Sequence, residues 1–266
     1  QLLEPEGAGD VLVEIEPPVQ ERILKDLDNK AISDIVAELD SDDAADLVGD
    51  LPAARAKEVI DSVDDHVSEE LEKLLPFPDD TAGGLMALEF VAVKADVTVG
   101  DAIKTVREEG REVENLYYIW VTDDFQRLVG VISLKDLVLE PEDRKVSDIM
   151  NPDVISVGVD TDQEEVANIV RRYDLVNVPV VDENSLLVGR ITHDDIIDVI
   201  EEEIDEDMSL MAGVIDQEVT EESTIKISRA RLPWLVAALF GGVFAAVGIN
   251  QFEAAIEAMI SLSFFF

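Results

Sequence analysis

The stretch "VPVVDENSLLVGRITHDD" at residues 178–195 contains the pattern that most clearly indicates the fold. An aliphatic run, a polar turn, a second aliphatic run and a helix-starting "THDD" follow one another. This order predicts two strands around a turn and then a helix. The stretch "IWVTDDFQRLVGVISLKD" at residues 119–136 repeats the same order. The chain therefore contains two copies of one α/β unit.

A second pair of matching segments precedes these stretches. "LMALEFVAV" at residues 85–93 aligns with "IMNPDVISV" at residues 149–157, which pairs Met86 with Met150. Each copy then holds a short strand, a helix, the strand pair and a closing helix. We expect two tandem α/β modules, at residues 81–145 and 146–207.

The residues before these modules have a different period. Aliphatic residues recur every twelve positions, and each is followed by Glu, Asp or Pro. They are Ile15, Leu27, Leu39, Leu51, Val63 and Leu75. An aliphatic helix end followed by a capping residue predicts short stacked helices. Residues 1–80 are therefore expected to form an all-α, solenoid-like domain, and the whole chain to be a multidomain protein of all-α and α/β parts.

Composition restricts the function. The chain has 61 acidic and 20 basic residues and a formal net charge of −41, which argues against nucleic acid as a partner. It has no cysteine and only two histidines, so a bound metal should be a hard cation held by oxygens. The acidity fits two explanations equally well at this stage: a surface that meets cations, or adaptation to a salty cytoplasm.

An apolar segment lies near the other end. Residues 232–249, "LPWLVAALFGGVFAAVGI", carry no charge, and Arg229 and Arg231 precede them. This pattern predicts a transmembrane helix at 231–249 with the N-terminal domains on the cytoplasmic side. A buried helix of a soluble core is the alternative. Residues 250–266 are expected to begin a second transmembrane helix, so the chain should be part of something longer.

Several of these segments resemble known families. The two copies resemble a pair of CBS domains, through "IMNPDVISV", "VPVVDENSLLVG" and the endings "GVISLKD" and "GRITHDD". The helical repeat ending in "FPDDTAGGLM", the segment "YYIWV", the acidic helix and "ARLPWL" together resemble the MgtE family of magnesium transporters. This resemblance implies a homodimer in the cell membrane, not an enzyme. Its cytoplasmic domains would sense Mg²⁺ and close a pore through a plug or connecting helix, here at 208–230.

The candidate metal ligands are acidic residues on separate elements: Asp42, Asp43, Asp46, Asp182, Asp194, Asp216 and Glu218. The resemblance places Asp182 and Asp194 on metal positions of the second CBS domain, although Asn184 stands where the family has a further acid. It places Asp216 and Glu218 in the plug-helix region. The other three form the densest acidic cluster of the helical domain, where stabilising a helix N-terminus is an equally good explanation.

The resemblance also implies adenine-nucleotide clefts, with Thr192 and Asp195 in the second copy and Ser133 and Asp136 in the first. Capping of the closing helices is the alternative for all four residues. We expect ATP, if any binds, in the second copy. No catalytic group of residues is apparent. The leading function is Mg²⁺ transport, and the alternative is a nucleotide-sensing CBS module of another membrane transporter or channel.

Overall fold

The computed structural model describes residues 5–15, 17–111, 113, 115–212 and 224–251. The chain divides into two compact units, Gln1–Ile204 and Asp205–Phe266. The first unit contains a helical N-terminal domain followed by the two α/β copies.

The N-terminal domain is made of six short helices. They are α1 (Pro5–Val13), α2 (Pro17–Asp26), α3 (Asn29–Val36), α4 (Ser41–Gly49), α5 (Ala53–Ile60) and α6 (Asp65–Leu74). The twelve-residue period is confirmed, because its aliphatic positions from Ile15 to Val63 lie at the bends between helices. At two of the bends the side chain of the next residue caps the following helix: the Asp28 carboxylate accepts from Ala31 N–H, and the Asp64 carboxylate accepts from the N–H groups of His66 and Val67.

The two copies have the same topology. The first contains β1 (Ala92–Lys94), α7 (Val99–Glu109), β2 (Tyr118–Thr122), β3 (Leu128–Ser133) and α8 (Leu134–Leu139). The second contains β4 (Val157–Gly158), α9 (Gln163–Tyr173), β5 (Val178–Val181), β6 (Leu187–Ile191) and α10 (His193–Ala212). In each sheet the first strand is parallel to the second, and the second is antiparallel to the third. The predicted strand pairs and closing helices are therefore confirmed.

The copies exchange their leading segments: the residues that precede the strands of each copy pair with a strand of the other copy. Ala87, which precedes the first copy's strands, pairs with Arg190 of β6 in the second copy, through two backbone hydrogen bonds of 2.8 and 2.9 Å. Asn151, which precedes the second copy's strands, pairs in the same way with Val131 of β3 in the first copy. The repeat in the sequence predicted two modules side by side. It did not show that each is completed by a segment preceding the other.

Matching glycine–methionine contacts fix this exchange. A Cβ atom at Gly189 would lie 2.8 Å from Met86 Sδ and 2.9 Å from the Ala87 carbonyl oxygen. A Cβ atom at Gly130 would lie 2.6 Å from Met150 Sδ. Only glycine lets the exchanged methionine approach each sheet this closely.

The hydrophobic cores reflect this exchange of segments. One continuous apolar cluster includes Ile32 and Leu71 of the helical domain, Met86, and Val180 and Ile196 of the second copy. The first copy has a separate cluster around Ile119, Ile132 and Leu137. The helical domain therefore shares its core with the second copy.

The second unit contains helix α11, Thr224–Gln251. Among the residues that the structure describes, no helix is both long enough and apolar enough to cross a membrane. The transmembrane helix predicted at 231–249 is thus not seen as such, although Leu239, Phe240 and Phe244 of α11 are exposed. The described ends of the predicted connecting helix, 208–230, belong to α10 and α11, and most of the segment 250–266 lies outside the described residues.

The exchange predicts unequal effects of two matched substitutions. Gly189→Ala should lower the free energy of unfolding by about 1–3 kcal/mol, because the new methyl group meets both Met86 and a backbone oxygen. Gly130→Ala should cost less, since all of its closest neighbours belong to the flexible Met150 side chain. Gly7→Ala, which has no neighbour within 4 Å, is the control without a clash, and because Gly7 lies in α1 it should raise the free energy of unfolding by up to about 1 kcal/mol. Chemical unfolding of the three variants measures the order, and equal costs at Gly189 and Gly130 would contradict it.

Candidate functional site

Acidic side chains from the helical domain and from the second copy come together in the first unit. We call this group the acidic interface, and it consists of Glu14, Asp42, Asp43, Asp46, Asp79, Asp194, Asp195 and Asp198. Asp42, Asp43 and Asp46 belong to α4, and Asp194, Asp195 and Asp198 belong to the start of α10. Glu14 follows α1, and Asp79 lies between the helical domain and the first copy.

Asp42 is the most buried member of the acidic interface. It is 8% exposed, and its carboxylate accepts a hydrogen bond from Asp43 N–H. Burial, followed by the nearby Asp195 and Asp43 carboxylates, raises the pKa of Asp42 well above its ordinary value. The charged form of Asp42 is destabilised at this position. We therefore expect a proton or a cation to accompany the carboxylate.

The pKa values of Asp43 and Asp46 are also raised by burial and by neighbouring carboxylates, although both residues lie closer to solvent. Burial and the neighbouring Asp195 carboxylate raise the pKa of Asp43 from 3.8 to about 7. Burial and the Asp79 carboxylate raise the pKa of Asp46 to about 7, although Asp46 lies at the exposed edge, where water screens its neighbours. Repulsion between the two sides of the interface therefore extends from its buried part to its edge.

The α10 side of the interface is also perturbed. The Asp195 carboxylate accepts hydrogen bonds from Thr192 N–H and from the Thr192 hydroxyl. Burial nevertheless raises the pKa of Asp195, while Arg190 and the two Thr192 bonds act in the opposite direction. Burial, Glu14 and Asp195 raise the pKa of Asp198. Both sides of the interface thus favour a neutral or cation-bound state.

The carboxylates do not form a closed metal cage. Within the described ranges, no group of three or more His, Asp or Glu side chains is arranged to hold one metal ion. Mg²⁺ keeps several waters and usually takes only one or two direct carboxylates. Such an ion can neutralise facing carboxylates directly or through its waters.

The remaining predicted metal residues are placed elsewhere or lie outside the description. Asp182 is in the turn between β5 and β6, where it accepts hydrogen bonds from Asn184 N–H, Asn184 Nδ2 and Leu186 N–H. These bonds hold the turn and lower the pKa of Asp182. Asp194 is at the opposite end of β6, so the two residues do not share one site. Asp216 and Glu218 lie outside the described residues.

The predicted nucleotide residues all take part in capping. Ser133 caps α8, since its hydroxyl accepts from Asp136 N–H at 3.0 Å and donates to the Asp136 carboxylate at 2.7 Å. At the start of α10 the Asp195 carboxylate instead accepts both bonds, one from Thr192 N–H and one from the Thr192 hydroxyl. The environments differ, because Asp136 is exposed whereas Asp195 belongs to the acidic interface.

Comparison with known proteins assigns the family. The model of the MgtE intracellular N domain matches residues 1–80, and the CBS domain model matches residues 82–143 and 146–202. A solved structure of the soluble part of a magnesium transporter is 37% identical, with a TM-score of 0.70 over 76% of this chain and 79% of that one. The chain belongs to the MgtE family. A solved cytosolic domain of the Mg²⁺ channel MgtE in complex with ATP is 40% identical, with a TM-score of 0.71 over 74% of this chain and 81% of that one.

Full-length relatives in the MgtE family are longer than this chain. The magnesium transporter MgtE of Enterococcus faecalis is 42% identical over 74% of this chain and 43% of that protein. The magnesium transporter MgtE of Thermus thermophilus is 39% identical over 77% of this chain and 46% of that protein. The chain thus spans less than half the length of these curated relatives.

Four members of the acidic interface were not among the predicted metal ligands: Asp195, which was predicted to contact a nucleotide, and Glu14, Asp79 and Asp198, which were not predicted at all. Asp198 follows Asp194 by one helical turn, so its position on the same side of α10 was available from helical spacing. Glu14 and Asp79 had no such signal, because their approach to α4 depends on how the helical domain folds against the second copy. The charges that matter at this interface are set by tertiary structure as well as by local sequence.

The pKa shifts predict how docking of α4 against α10 depends on pH when a chelator removes metal ions. Asp43 and Asp46 hold protons more tightly in the docked state, with pKa values near 7 against an ordinary 3.8. The docked state is therefore favoured at low pH, and this advantage is lost as the pH rises from about 4 to about 7. Small-angle X-ray scattering across this range should show an increasing radius of gyration. An unchanged radius would contradict the prediction.

Proposed function

We propose that this chain is the Mg²⁺-sensing gating region of an MgtE-type magnesium transporter or channel. The observation that supports the proposal is the acidic interface, in which carboxylates of the helical domain face those of the second CBS domain, and burial together with the Asp195 carboxylate raises the pKa values of Asp42 and Asp43. Mg²⁺ binding between them favours the docked arrangement. At low Mg²⁺ the repulsion favours separation, and this difference is the signal that reaches the pore.

The energies are of a suitable size for a switch. Two like charges about 4 Å apart repel by about 1 kcal/mol in water and by more where water is partly excluded. Asp43 is affected by several neighbouring carboxylates, of which Asp195 and Asp194 lie across the interface. A divalent ion reverses the sign of these interactions, so its binding free energy differs strongly between the docked and separated states.

The proposal includes the predicted arrangement of the whole protein. We keep the division into a helical domain at 1–80 and CBS domains at 81–145 and 146–207, with the protein acting as a homodimer. The uncharged segment 232–249 would lie in the cell membrane, with the sensing domains in the cytoplasm. Its support is the sequence together with the names of the relatives, which are magnesium transporters.

Mg²⁺ should protect the segment 77–86 from proteolysis at millimolar concentrations, because this segment joins the helical domain to the CBS pair. NaCl at matched ionic strength should not protect it, since a monovalent ion does not bridge facing carboxylates as strongly. Timed digestion in chelator, MgCl₂ or NaCl measures the effect. Equal protection by NaCl would overturn the specific-cation proposal.

Neutralising the interface should reproduce part of the Mg²⁺ effect. In the Asp43→Asn/Asp46→Asn double variant, the amides imitate protonated carboxyl groups and remove repulsion. We expect slower digestion in chelator and a protection by Mg²⁺ that is about threefold or more smaller. Asp34→Asn is the control, because Asp34 is an exposed partner of Lys30. A double variant that behaves like this control would contradict the assigned role of the interface.

ATP is a second proposed ligand, and we propose the first CBS domain for it rather than the second one, which the sequence led us to expect. A triphosphate beside Asp195 would meet the carboxylates of the acidic interface. Beside Ser133 lies its register partner Tyr118, whose ring centroid is 6.2 Å from that of Trp120. The Tyr118 ring, which is only partly buried and packs beside the buried Trp120, offers a stacking surface for an adenine base, and Ser133 and Asp136 offer polar contacts.

The choice between the two clefts can be tested with matched variants. Tyr118→Leu should weaken ATP binding about tenfold, the size expected for a lost base–aromatic stack. Thr192→Ala, in the second copy, should leave the affinity unchanged. Calorimetric titration of ATP into each variant measures both. A loss of affinity in Thr192→Ala alone would place the nucleotide in the second copy instead.

A further inference from the structure

We propose that Glu89 is a positioning residue of the Mg²⁺ sensor, which acts by holding Ser41 at the start of α4. This inference rests on the proposed sensing function. It concerns a contact of three hydrogen bonds between the helical domain and the segment leading into the first copy's strands. In the sensing scheme described above, neither residue binds the metal ion or changes its charge.

The contact is well defined. The Ser41 hydroxyl donates to Glu89 Oε2 at 2.8 Å, and Ser41 N–H donates to Glu89 Oε1 at 3.2 Å. The Ser41 hydroxyl oxygen also accepts from Leu88 N–H at 2.8 Å. Both oxygens of one carboxylate are thus engaged by one residue, and that residue is tied to a neighbouring backbone group as well.

Burial gives this contact its strength. Ser41 is only 4% exposed, and hydrogen bonds to a charged group away from water are stronger than exposed ones. The Glu89 carboxylate also lies at the N-terminus of α4, where unpaired N–H groups favour a negative charge. Loss of either partner would leave a partly buried polar group without its partner.

The location of Ser41 connects the contact to sensing. Ser41 directly precedes Asp42 and Asp43, so fixing this first turn sets where their carboxylates stand relative to α10. Glu89 is itself held in place, because Ala87 two residues earlier is paired with Arg190 of the second copy. The contact therefore favours the docked arrangement in the absence of any metal, and it opposes the repulsion that Mg²⁺ must overcome.

A direct ligand role for Glu89 makes a different prediction. If Glu89 bound the cation, Glu89→Gln would weaken the Mg²⁺ response, whereas Ser41→Ala would leave all the carboxylates in place. If Glu89 acts through Ser41, the two substitutions have the same effect. Their combination then adds nothing, since each removes the same interaction.

The experiment measures the Mg²⁺ concentration that gives half-maximal protection of the segment 77–86 in the full chain. Ser41→Ala and Glu89→Gln should each raise it by about tenfold, a typical effect for a hydrogen bond to a charged group. The double variant should match the larger single effect. Asp34→Asn, which removes one exposed carboxylate elsewhere, should leave it unchanged. Thermal unfolding followed by circular dichroism shows whether each variant remains folded.

Two results would overturn the inference: an unchanged midpoint in both single variants, or a shift in Glu89→Gln alone. A wild-type chain that does not respond to Mg²⁺ would overturn the proposed sensing function instead. In that case, digestion in chelator still decides the role of the contact. Faster cleavage of both variants than of wild type supports positioning of α4 by Glu89, and unchanged cleavage overturns it.

Discussion

The backbone pairing of Ala87 with Arg190 determines where the helical domain lies. The preceding residues follow the same path, because Ala82 N–H donates to Thr161 O and Gly83 N–H donates to Val159 O, both in the second copy. The helical domain ends just before this segment, so it lies against the second copy rather than the first, although the first copy follows it in sequence. The continuous apolar core shared by these two parts is a consequence of this exchange, and so is the meeting of α4 with α10.

Opposing forces meet at this junction. Apolar burial draws the helical domain onto the second copy, and the contact between Ser41 and Glu89 adds a directional interaction at the start of α4. Carboxylate repulsion across the acidic interface acts against both. Because the opposing contributions meet in one place, a modest change in the charge state of the interface can alter the balance between docking and separation. A surface that was only attractive would stay closed at every ion concentration, and one that was only repulsive would stay open.

The sequence predicted those features that depend on local periodicity. The twelve-residue repeat placed the bends of the helical domain, and the internal match placed both strand pairs and made Met86 equivalent to Met150. The exchange of leading segments had no local signal, because a segment that pairs with its own copy and one that pairs with the other copy have the same sequence pattern. Asp182 and Asp194 also show that local sequence does not predict which residues lie together. They belong to one module and to one family pattern, yet β6 separates them.

Burial distinguishes the two explanations of the acidity that composition left open. Adaptation to salt favours acids on the surface, where water and counterions solvate them, and Asp34 beside Lys30 is of this kind. It gives no reason to place Asp42 at 8% exposure opposite another carboxylate, because a buried charge is destabilising unless something neutralises it. The general acidity of the chain can therefore be adaptive while the acidic interface still requires a specific cause. In the sensing function that we propose, a cation that binds only when α4 and α10 are docked would supply that cause, since it would stabilise the arrangement that the carboxylates alone oppose.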